Sequence, residues 1–226
     1  MSYAEAYARQ IEAVDAVLAA RASRAPNPGF IFLVEHDPVI TVTRRPQARE
    51  HLLATPELLA RHGVALVETD RGGDVTYHGP GQIVVYPILD LTPLGLRVHD
   101  YMRLLEEAVI RTCGEYGVRA MRDPAATGVW VNPKGAPGEP LSPRAGKVAA
   151  MGVRLRRWVT MHGLALNVTT NLDHFALIVP CGLAGRPVTS LGRELGDACP
   201  GIDEVKSRLA DELRCLIIGA PGHHAP

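Results

Sequence analysis

The sequence lacks an excess of either charge. Its 226 residues carry 24 basic and 24 acidic side chains, so the formal net charge is zero when histidine is neutral. Proteins that bind nucleic acid or an anionic membrane surface usually show a strong positive field. The sequence also lacks any apolar run near the roughly 20 residues that a membrane-spanning helix needs. We therefore predict a cytoplasmic protein with no nucleic-acid partner and no membrane partner.

Cysteine is present but does not form a recognisable framework. A chain of this size does not depend on disulfide bonds, so we expect four reduced thiols: Cys113, Cys181, Cys199 and Cys215. The sequence has no CxxC or HxxxH spacing, which argues against a metal site despite nine histidines. It also lacks the GxxxxGKS and GxGxxG patterns, which bind the phosphates of nucleotides. We expect neither a metal nor a cofactor.

The apolar pattern predicts one α/β (α+β) domain over residues 1–226. The first twenty residues have helical spacing, which indicates an amphipathic helix rather than a signal peptide. Further helices are predicted over 56–62, 98–117, 171–178 and 203–218, and strands over 29–36, 38–45, 63–69, 83–91, 128–132 and, as a pair, 147–168. Strands outnumber helices without regular alternation, which predicts a mixed, largely antiparallel sheet with packed helices.

A glycine-rich segment, RGGDVTYHGPGQ, runs from Arg71 to Gln82. Its four glycines and one proline predict a loop between two strands whose backbone approaches a ligand closely. Within it, His78 is suited to carrying a proton or to donating a hydrogen bond to a carbonyl. A histidine with a purely structural role fits the same pattern.

Cys181 differs from the other thiols in its setting. It stands between proline and glycine in VPCGLAG, where backbone N–H groups could stabilise an oxyanion after sulfur attacks a carbonyl. Cys113 and Cys215 fall in predicted helices, where cysteine is usually a buried apolar residue, and Cys199 is the remaining competitor. Taken alone, the pattern favours a turn cysteine without a chemical role.

A catalytic thiol needs a neighbouring cation or base, because an unperturbed thiol with a pKa of about 8.5 is mostly protonated at neutral pH. Lys147 is a candidate, since it lies in AGKVAAMG at the start of a predicted strand. A solvated surface lysine explains the same pattern. The later segment MHGLALNV, residues 161–168, is suited either to core packing or to lining a tunnel for an acyl chain.

Three segments, in this order, resemble the lipoyl(octanoyl) transferases: RGGDVTYHGPGQ, GKVAAMGVRLRRWVTMHGLALNV and PCG. The resemblance extends from EHDPVITVTRR to VTSLGRELG, which is most of the chain. It implies the catalytic-domain fold that biotin and lipoate protein ligases share. The loop from Pro133 to Gly146 is longer than the usual connection in this family, so the partner surface there is left open.

The resemblance also implies the residues of the site. Its catalytic residues are Cys181, as the acyl-thioester cysteine, and Lys147, as the lysine that lowers the pKa of that thiol. Its substrate-binding residues are Arg71, Gly72, Gly73, Asp74, Val75, Thr76, Tyr77, His78, Ala150, Met151, Gly152, Gly163, Leu164 and Ala165.

The implied reaction is the first step of endogenous protein lipoylation. An octanoyl group passes from the phosphopantetheine thioester of acyl carrier protein to Cys181, and then to a lysine of a lipoyl domain. The acceptor belongs to an oxo-acid dehydrogenase complex or is the glycine cleavage H protein. Three alternatives stay open: an ATP-dependent lipoate or biotin ligase, a thiol hydrolase using His78 or His162 as base, and a non-catalytic protein that binds acyl groups or acyl carrier protein.

Overall fold

The computed structural model describes residues 1–25, 29–132, 141–180 and 185–224, and the strands of these residues form two sheets. The strands are β1 (Phe30–Val34), β2 (Val39–Thr43), β3 (Ala65–Thr69), β4 (Val75–His78), β5 (Gln82–Ile88), β6 (Ala120–Asp123), β7 (Ala126–Val131), β8 (Gly146–Arg156) and β9 (Val159–Asn167). The α-helices are α1 (Tyr3–Ser23), α2 (Pro56–Arg61), α3 (Leu91–Leu94), α4 (Val98–Glu115), α5 (Leu191–Leu195) and α6 (Ile202–Ile218). Short 3-10 helices cover Ala48–His51, Leu172–Leu177, Gly196–Ala198 and Pro221–His224.

The larger sheet has six strands in the order β1-β5-β9-β8-β7-β6, and every neighbouring pair is antiparallel. The smaller sheet has the order β3-β2-β4, and its β2–β3 pair is parallel. A parallel pair needs a crossover connection, which here contains α2. The predicted mixed, largely antiparallel sheet with packed helices is confirmed.

Helices cover the two faces of the larger sheet. On one face, α4 packs with α6 and buries Tyr101, Leu105 and Val109, which are four residues apart and therefore share one side of the helix. On the other face, α1 packs against β5 and β9 through Val14 and Val17. The smaller sheet has its own apolar cluster, and residues of both sheets line a space between them.

The glycine-rich segment is only partly a loop, and the prediction of a loop throughout was wrong. Residues 75–78 form β4, which pairs with β2 in the register Val42 with Val75 and Val39 with His78. The alternation of Val75, Thr76 and Tyr77 suits a strand, and the flanking glycines marked its ends rather than its whole length. Strand β4 thereby aims alternate side chains into the space between the sheets.

Candidate active site

A cleft opens between the larger sheet and β4 with its preceding loop. Its empty volume is about 460 Å³. Eleven of the residues implied as substrate-binding line it: Arg71, Gly73, Asp74, Thr76, His78, Ala150, Met151, Gly152, Gly163, Leu164 and Ala165. Its other lining residues are Tyr3, Val84, Tyr86 and His162. Segments that are distant in sequence thus converge on one concave site of the kind that binds small ligands.

The three other implied residues do not line this cleft. Val75 and Tyr77 lie on the opposite face of β4, buried in the apolar cluster of the smaller sheet, because side chains alternate along a strand. Gly72 donates its backbone N–H to the carbonyl of Val153 at 2.9 Å, and this bond attaches the loop to β8. Val153 lies beyond the part of β8 that pairs with β7. Val75 and Tyr77 therefore support the cleft wall from the face of β4 that points away from the cleft, and Gly72 fixes the loop that precedes it.

Arg71 holds the loop in front of β4. Its Nη2 donates to the backbone oxygens of Thr41 (3.1 Å) and Asp74 (2.9 Å), and its Nη1 donates to the carbonyl of Gly72 at 3.0 Å. A Cβ on Gly152 would lie 2.6 Å from the carbonyl oxygen of Gly72, so only glycine lets the loop approach β8 this closely. The arginine therefore fixes the backbone of the cleft wall as well as lining it.

His78 is buried and neutral near pH 7. Burial, reinforced by the nearby His36, lowers its pKa to about 3. Its Nδ1 donates to Oε1 of Gln82 at 2.7 Å, and Gln82 in turn donates to Oδ1 of Asn167 at 2.8 Å. An imidazole with so low a pKa is a poor proton acceptor near neutrality. The structure favours the structural role for His78 over the role of proton carrier.

His162 is held in a polar cluster at the α1 end of the cleft. Its Nε2 donates to Oδ1 of Asp70 at 2.9 Å, and Asp70 also accepts from Tyr7 and Arg154. Burial lowers the pKa of His162, against the opposing effect of Asp70. The backbone φ of His162 is +56°, which is unusual for a non-glycine residue, and its N–H is fixed by Oε1 of Gln10 at 2.8 Å.

Lys147 reaches the space between the sheets because β8 contains a β-bulge. Trp130 pairs with Lys147 and Val129 pairs with Ala149, which leaves Val148 as the extra residue. Val148 and Ala149 both pack into the core below α4 and α6. In a regular strand Lys147 would share the face of Ala149 and point into that core. The bulge turns Lys147 to the opposite face.

A second cavity, with an empty volume of about 280 Å³, contains Lys147. It is lined by Thr76, Gln82, Lys147, Ala150, Ala165, Asn167, Phe175, Pro180 and Val188. Thr76, Ala150 and Ala165 line both cavities, so the two spaces adjoin. Lys147 is only 7% exposed, which excludes the solvated surface lysine that its sequence also allowed.

The side chain of Lys147 is supported closely by β7. A Cβ on Gly128 would lie 2.4 Å from Cε of Lys147, and Gly128 has a φ of +131°. The N–H of Gly128 donates to Oε1 of the buried Glu106 at 3.1 Å. Nζ of Lys147 lies 5.0 Å from the ring centroid of Trp130, a cation–π distance. Glycine at this position therefore makes room for the lysine stem.

Cys181 lies outside the described residues. The chain on either side of it is close to Lys147: Pro180 lines the same cavity, the N–H of Lys147 donates to the carbonyl of Pro187 at 2.9 Å, and Thr189 donates to the carbonyl of Lys147 at 3.0 Å. The first half of the Pro133–Gly146 loop, residues 133–140, also lies outside the described residues.

The three described cysteines are not among the residues lining the two cavities. Cys113 is buried in the core below α4, and burial raises its pKa to about 12. Burial also raises the pKa of Cys199, and Cys215 is exposed on α6. None of these three described cysteines is therefore placed to attack a substrate in either cavity.

Sequence reasoning missed several contributors to the site, among them Tyr3, Val84, Tyr86 and Gly128. It assigned little weight to the first helix, yet Tyr3 of α1 lines the cleft. It also gave no role to Gly128, although this glycine lies within β7 and has a positive φ. The isolated glycine before VWV was the available signal, because a glycine within a strand pattern often marks a bulge or a close approach.

Among the residues that the structure describes, no cluster of three or more histidine, cysteine, aspartate or glutamate side chains is placed to hold a metal ion. In the same residues, no helix combines the length and apolar character needed to span a membrane.

Comparison with known proteins places the chain in a family. The lipoyl protein ligase A/B catalytic domain family matches residues 7–214. An octanoyltransferase of Bacteroides thetaiotaomicron is 47% identical over 215 residues, which are 95% of this chain and 91% of that protein. An octanoyltransferase of Koribacter versatilis is 51% identical over 169 residues, which are 74% of this chain and 63% of that protein. The chain therefore belongs to the octanoyltransferases of this catalytic-domain family and is an acyltransferase.

The fold is shared with solved lipoate protein ligases. The bipartite lipoate protein ligase of Thermoplasma acidophilum, solved together with an analysis of its E2 lipoyl domain, superposes with a TM-score of 0.64. The two are 17% identical, over 92% of this chain and 79% of that one, so this likeness shows the fold alone. The predicted ligase-like catalytic-domain fold is confirmed.

Proposed function

We propose that this chain transfers an octanoyl group from the phosphopantetheine thioester of acyl carrier protein to a lysine amine of a lipoyl domain. The observation that carries the proposal is the position of Lys147, which the β8 bulge aims into a cavity that adjoins the cleft and includes Pro180 in its wall. The octanoyltransferase relatives, at 47% identity over nearly the whole chain, support the identity of the acyl group.

The cleft is the proposed site of the acyl chain. Its floor combines small residues, Ala150, Gly152 and Ala165, with larger apolar ones such as Leu164 and Val84. Small floor residues leave room for a methylene chain, and apolar walls favour its transfer from water by about 0.8 kcal/mol for each buried methylene. The carbonyl end would then lie in the adjoining cavity with Lys147.

In the first half-reaction, the Cys181 thiolate attacks the thioester carbonyl. A new C–S bond forms to Cys181, and the C–S bond to the phosphopantetheine sulfur breaks. Lys147 holds the proton from the Cys181 thiol and passes it to the departing carrier thiolate. A neighbouring cation lowers the pKa of a thiol, so this arrangement would supply the nucleophile at neutral pH.

In the second half-reaction, the acceptor lysine amine attacks the acyl-Cys181 carbonyl. A C–N bond forms, the C–S bond breaks, and the proton lost by the amine returns through Lys147 to the sulfur. A thioester is exchanged first for a thioester and then for a more stable amide. The two half-reactions therefore require neither ATP nor a metal.

The proposed acceptors are lipoyl domains of oxo-acid dehydrogenase complexes or the glycine cleavage H protein. The solved Thermoplasma ligase of the same fold was studied with its own E2 lipoyl domain. We infer that the present chain presents its acylated cysteine to a lysine on a domain of that class.

The hydrolase alternative is disfavoured for one of the two histidines that it would use as base. Burial is the main cause that lowers the pKa of His78 to about 3. Its Nδ1 donates a hydrogen bond to Gln82. His162 has its Nε2 bonded to Asp70, and burial lowers its pKa as well. His78 is therefore unsuited to activating water near neutral pH, and release of free octanoate in the assay below tests the hydrolase with His162 as its base.

The test mixes the purified chain with octanoyl-acyl carrier protein and an unmodified lipoyl domain, with and without ATP, and follows the mass of the lipoyl domain. We expect one octanoyl addition without ATP, and none when the acceptor lysine is replaced by arginine. Modification that requires ATP and free octanoate would indicate the ligase. Free octanoate without acceptor modification would indicate the hydrolase, and tight acyl binding with no reaction would indicate a binding protein.

A further inference from the structure

Tyr3 brings the first helix into the lining of the cleft. The ring of Tyr3 stacks over His78 with a centroid distance of 6.5 Å and planes 10° apart, and the residue is 7% exposed. On its far side lies a separate groove with an empty volume of about 630 Å³, lined by Tyr3, Ala4, Tyr7, Ala8, Arg44, Val67, Glu68, Thr69 and Asp70. Among the described residues, Tyr3 is the one side chain that lines both spaces.

Tyr3 is held firmly in this position. Its hydroxyl pairs with Oγ1 of Thr69 at 2.6 Å, at the end of β3. The start of α1 is fixed by a capping box between Ser2 and Glu5, and Tyr7, one turn later, donates to Asp70 at 2.9 Å. A ring anchored at both its backbone and its hydroxyl is a rigid partition between the cleft and the groove.

We propose that Tyr3 sets the longest acyl chain that the enzyme transfers. This inference rests on the proposed function, because it assigns the end of the cleft to the end of the acyl chain. Apolar burial discriminates chain lengths only weakly, by about fourfold in affinity for each methylene, so a sharp upper limit requires a steric stop. Lys147 lines the adjoining cavity, whereas Tyr3 lines the cleft and not that cavity, so the two side chains do not share one part of the path.

Removing the ring would join the cleft to the groove. A longer chain could then pass α1 and lie against Ala4, Ala8 and Val67, which are apolar residues of the groove. The Tyr3→Ala variant is therefore expected to accept chains that the unaltered enzyme rejects. Tyr3→Phe keeps the partition and loses only the hydroxyl contact with Thr69.

The experiment measures kcat/KM for transfer to a lipoyl domain from acyl carrier protein loaded with octanoyl, decanoyl, dodecanoyl or tetradecanoyl chains. We expect Tyr3→Ala to raise the ratio of dodecanoyl to octanoyl transfer by roughly tenfold or more, since four added methylenes become buried. Tyr3→Leu, which retains apolar packing if the alanine variant folds poorly, should give a smaller rise. Tyr3→Phe should keep the ratio of the unaltered enzyme.

The outcomes separate the two proposals. If the unaltered chain transfers octanoyl but the folded Tyr3→Ala and Tyr3→Leu variants lose rate equally for all lengths, Tyr3 is only structural and this inference fails. If the unaltered chain transfers no acyl group of any length, the proposed function fails instead. Thermal melting of each variant establishes that it is folded.

Discussion

The two ends of the proposed acyl path, which runs from the cleft into the adjoining cavity, are built on opposite principles. At the α1 end, titratable groups are neutral or paired: His78 has a pKa of about 3 because of burial, and His162 is bonded to Asp70. At the other end, the amine of Lys147 is placed by a bulge and by the absence of a side chain at Gly128. Under the proposed function, one end supplies shape and the other supplies proton chemistry.

The largest effect should come from removing the amine at the reactive end. We expect Lys147→Ala to lower kcat/KM for octanoyl transfer by roughly 10³-fold, the usual contribution of a positioned acid or base. The matched control is Lys206→Ala, which removes a partly exposed lysine paired with Glu35 and should change the rate little. Steady-state transfer assays measure both. Equal rates for the two variants would assign no chemistry to Lys147.

A smaller effect should follow from displacing Lys147 without changing it. In Gly128→Ala, the new Cβ would lie 2.4 Å from Cε of Lys147, so the amine must move. A displacement of about 1 Å at a reacting group costs about 100-fold, and we expect this loss in kcat. The measurement is kcat and KM for octanoyl transfer.

The control for that variant is Gly114→Ala, near the end of α4. A Cβ there has no neighbouring atom within 4 Å, and alanine favours a helix over glycine by about 0.5–1 kcal/mol. We expect unchanged kcat and a slightly higher melting temperature. A rate loss as large as that of Gly128→Ala would show that the effect is general rather than directed at Lys147.

At the α1 end, His78 should affect how the stability of the fold depends on pH. The folded-state pKa of His78, about 3, lies below its unfolded value, so the unfolded state binds more protons below about pH 6.5. Stability is full above that pH and falls as the pH drops towards 3. His78 contributes up to about 1.4 kcal/mol per pH unit to this slope.

His78→Asn tests this by retaining an N–H donor near Gln82 without a titrating group. Urea unfolding at several pH values between 4 and 7 should give a shallower slope for the variant than for the unaltered chain. Identical slopes would mean that His78 does not enter the fold as a buried neutral imidazole.

Much of the fold was predictable because its signals are local. Helix α4 has apolar residues at helical spacing, and the hairpin of β8 and β9 alternates over twenty-two residues of sequence, 147–168. The cleft-lining segments were identified through the family resemblance rather than from the pattern. The parallel pairing of β2 with β3 was not predicted, because it depends on a crossover of about twenty residues.

The placement of the site residues depended on details that the sequence does not display. A bulge adds a single residue and reverses the face of Lys147, yet Val148 looks like any other strand valine. Tyr3 meets Thr69 across 66 positions, which helical spacing cannot indicate. The single-domain organisation, the substrate-binding assignments and the pairing of Lys147 with Cys181 stay predictions.

The most direct measurement is the intact mass of the chain after mixing with octanoyl-acyl carrier protein in the absence of ATP and acceptor. Cys199→Ser is the matched control, since Cys199 is a partly buried thiol outside the lining of both cavities. The account predicts one octanoyl group on the unaltered chain and on Cys199→Ser, and none on Cys181→Ser. An adduct that persists in Cys181→Ser, or octanoyl transfer by that variant at the full rate, would contradict it.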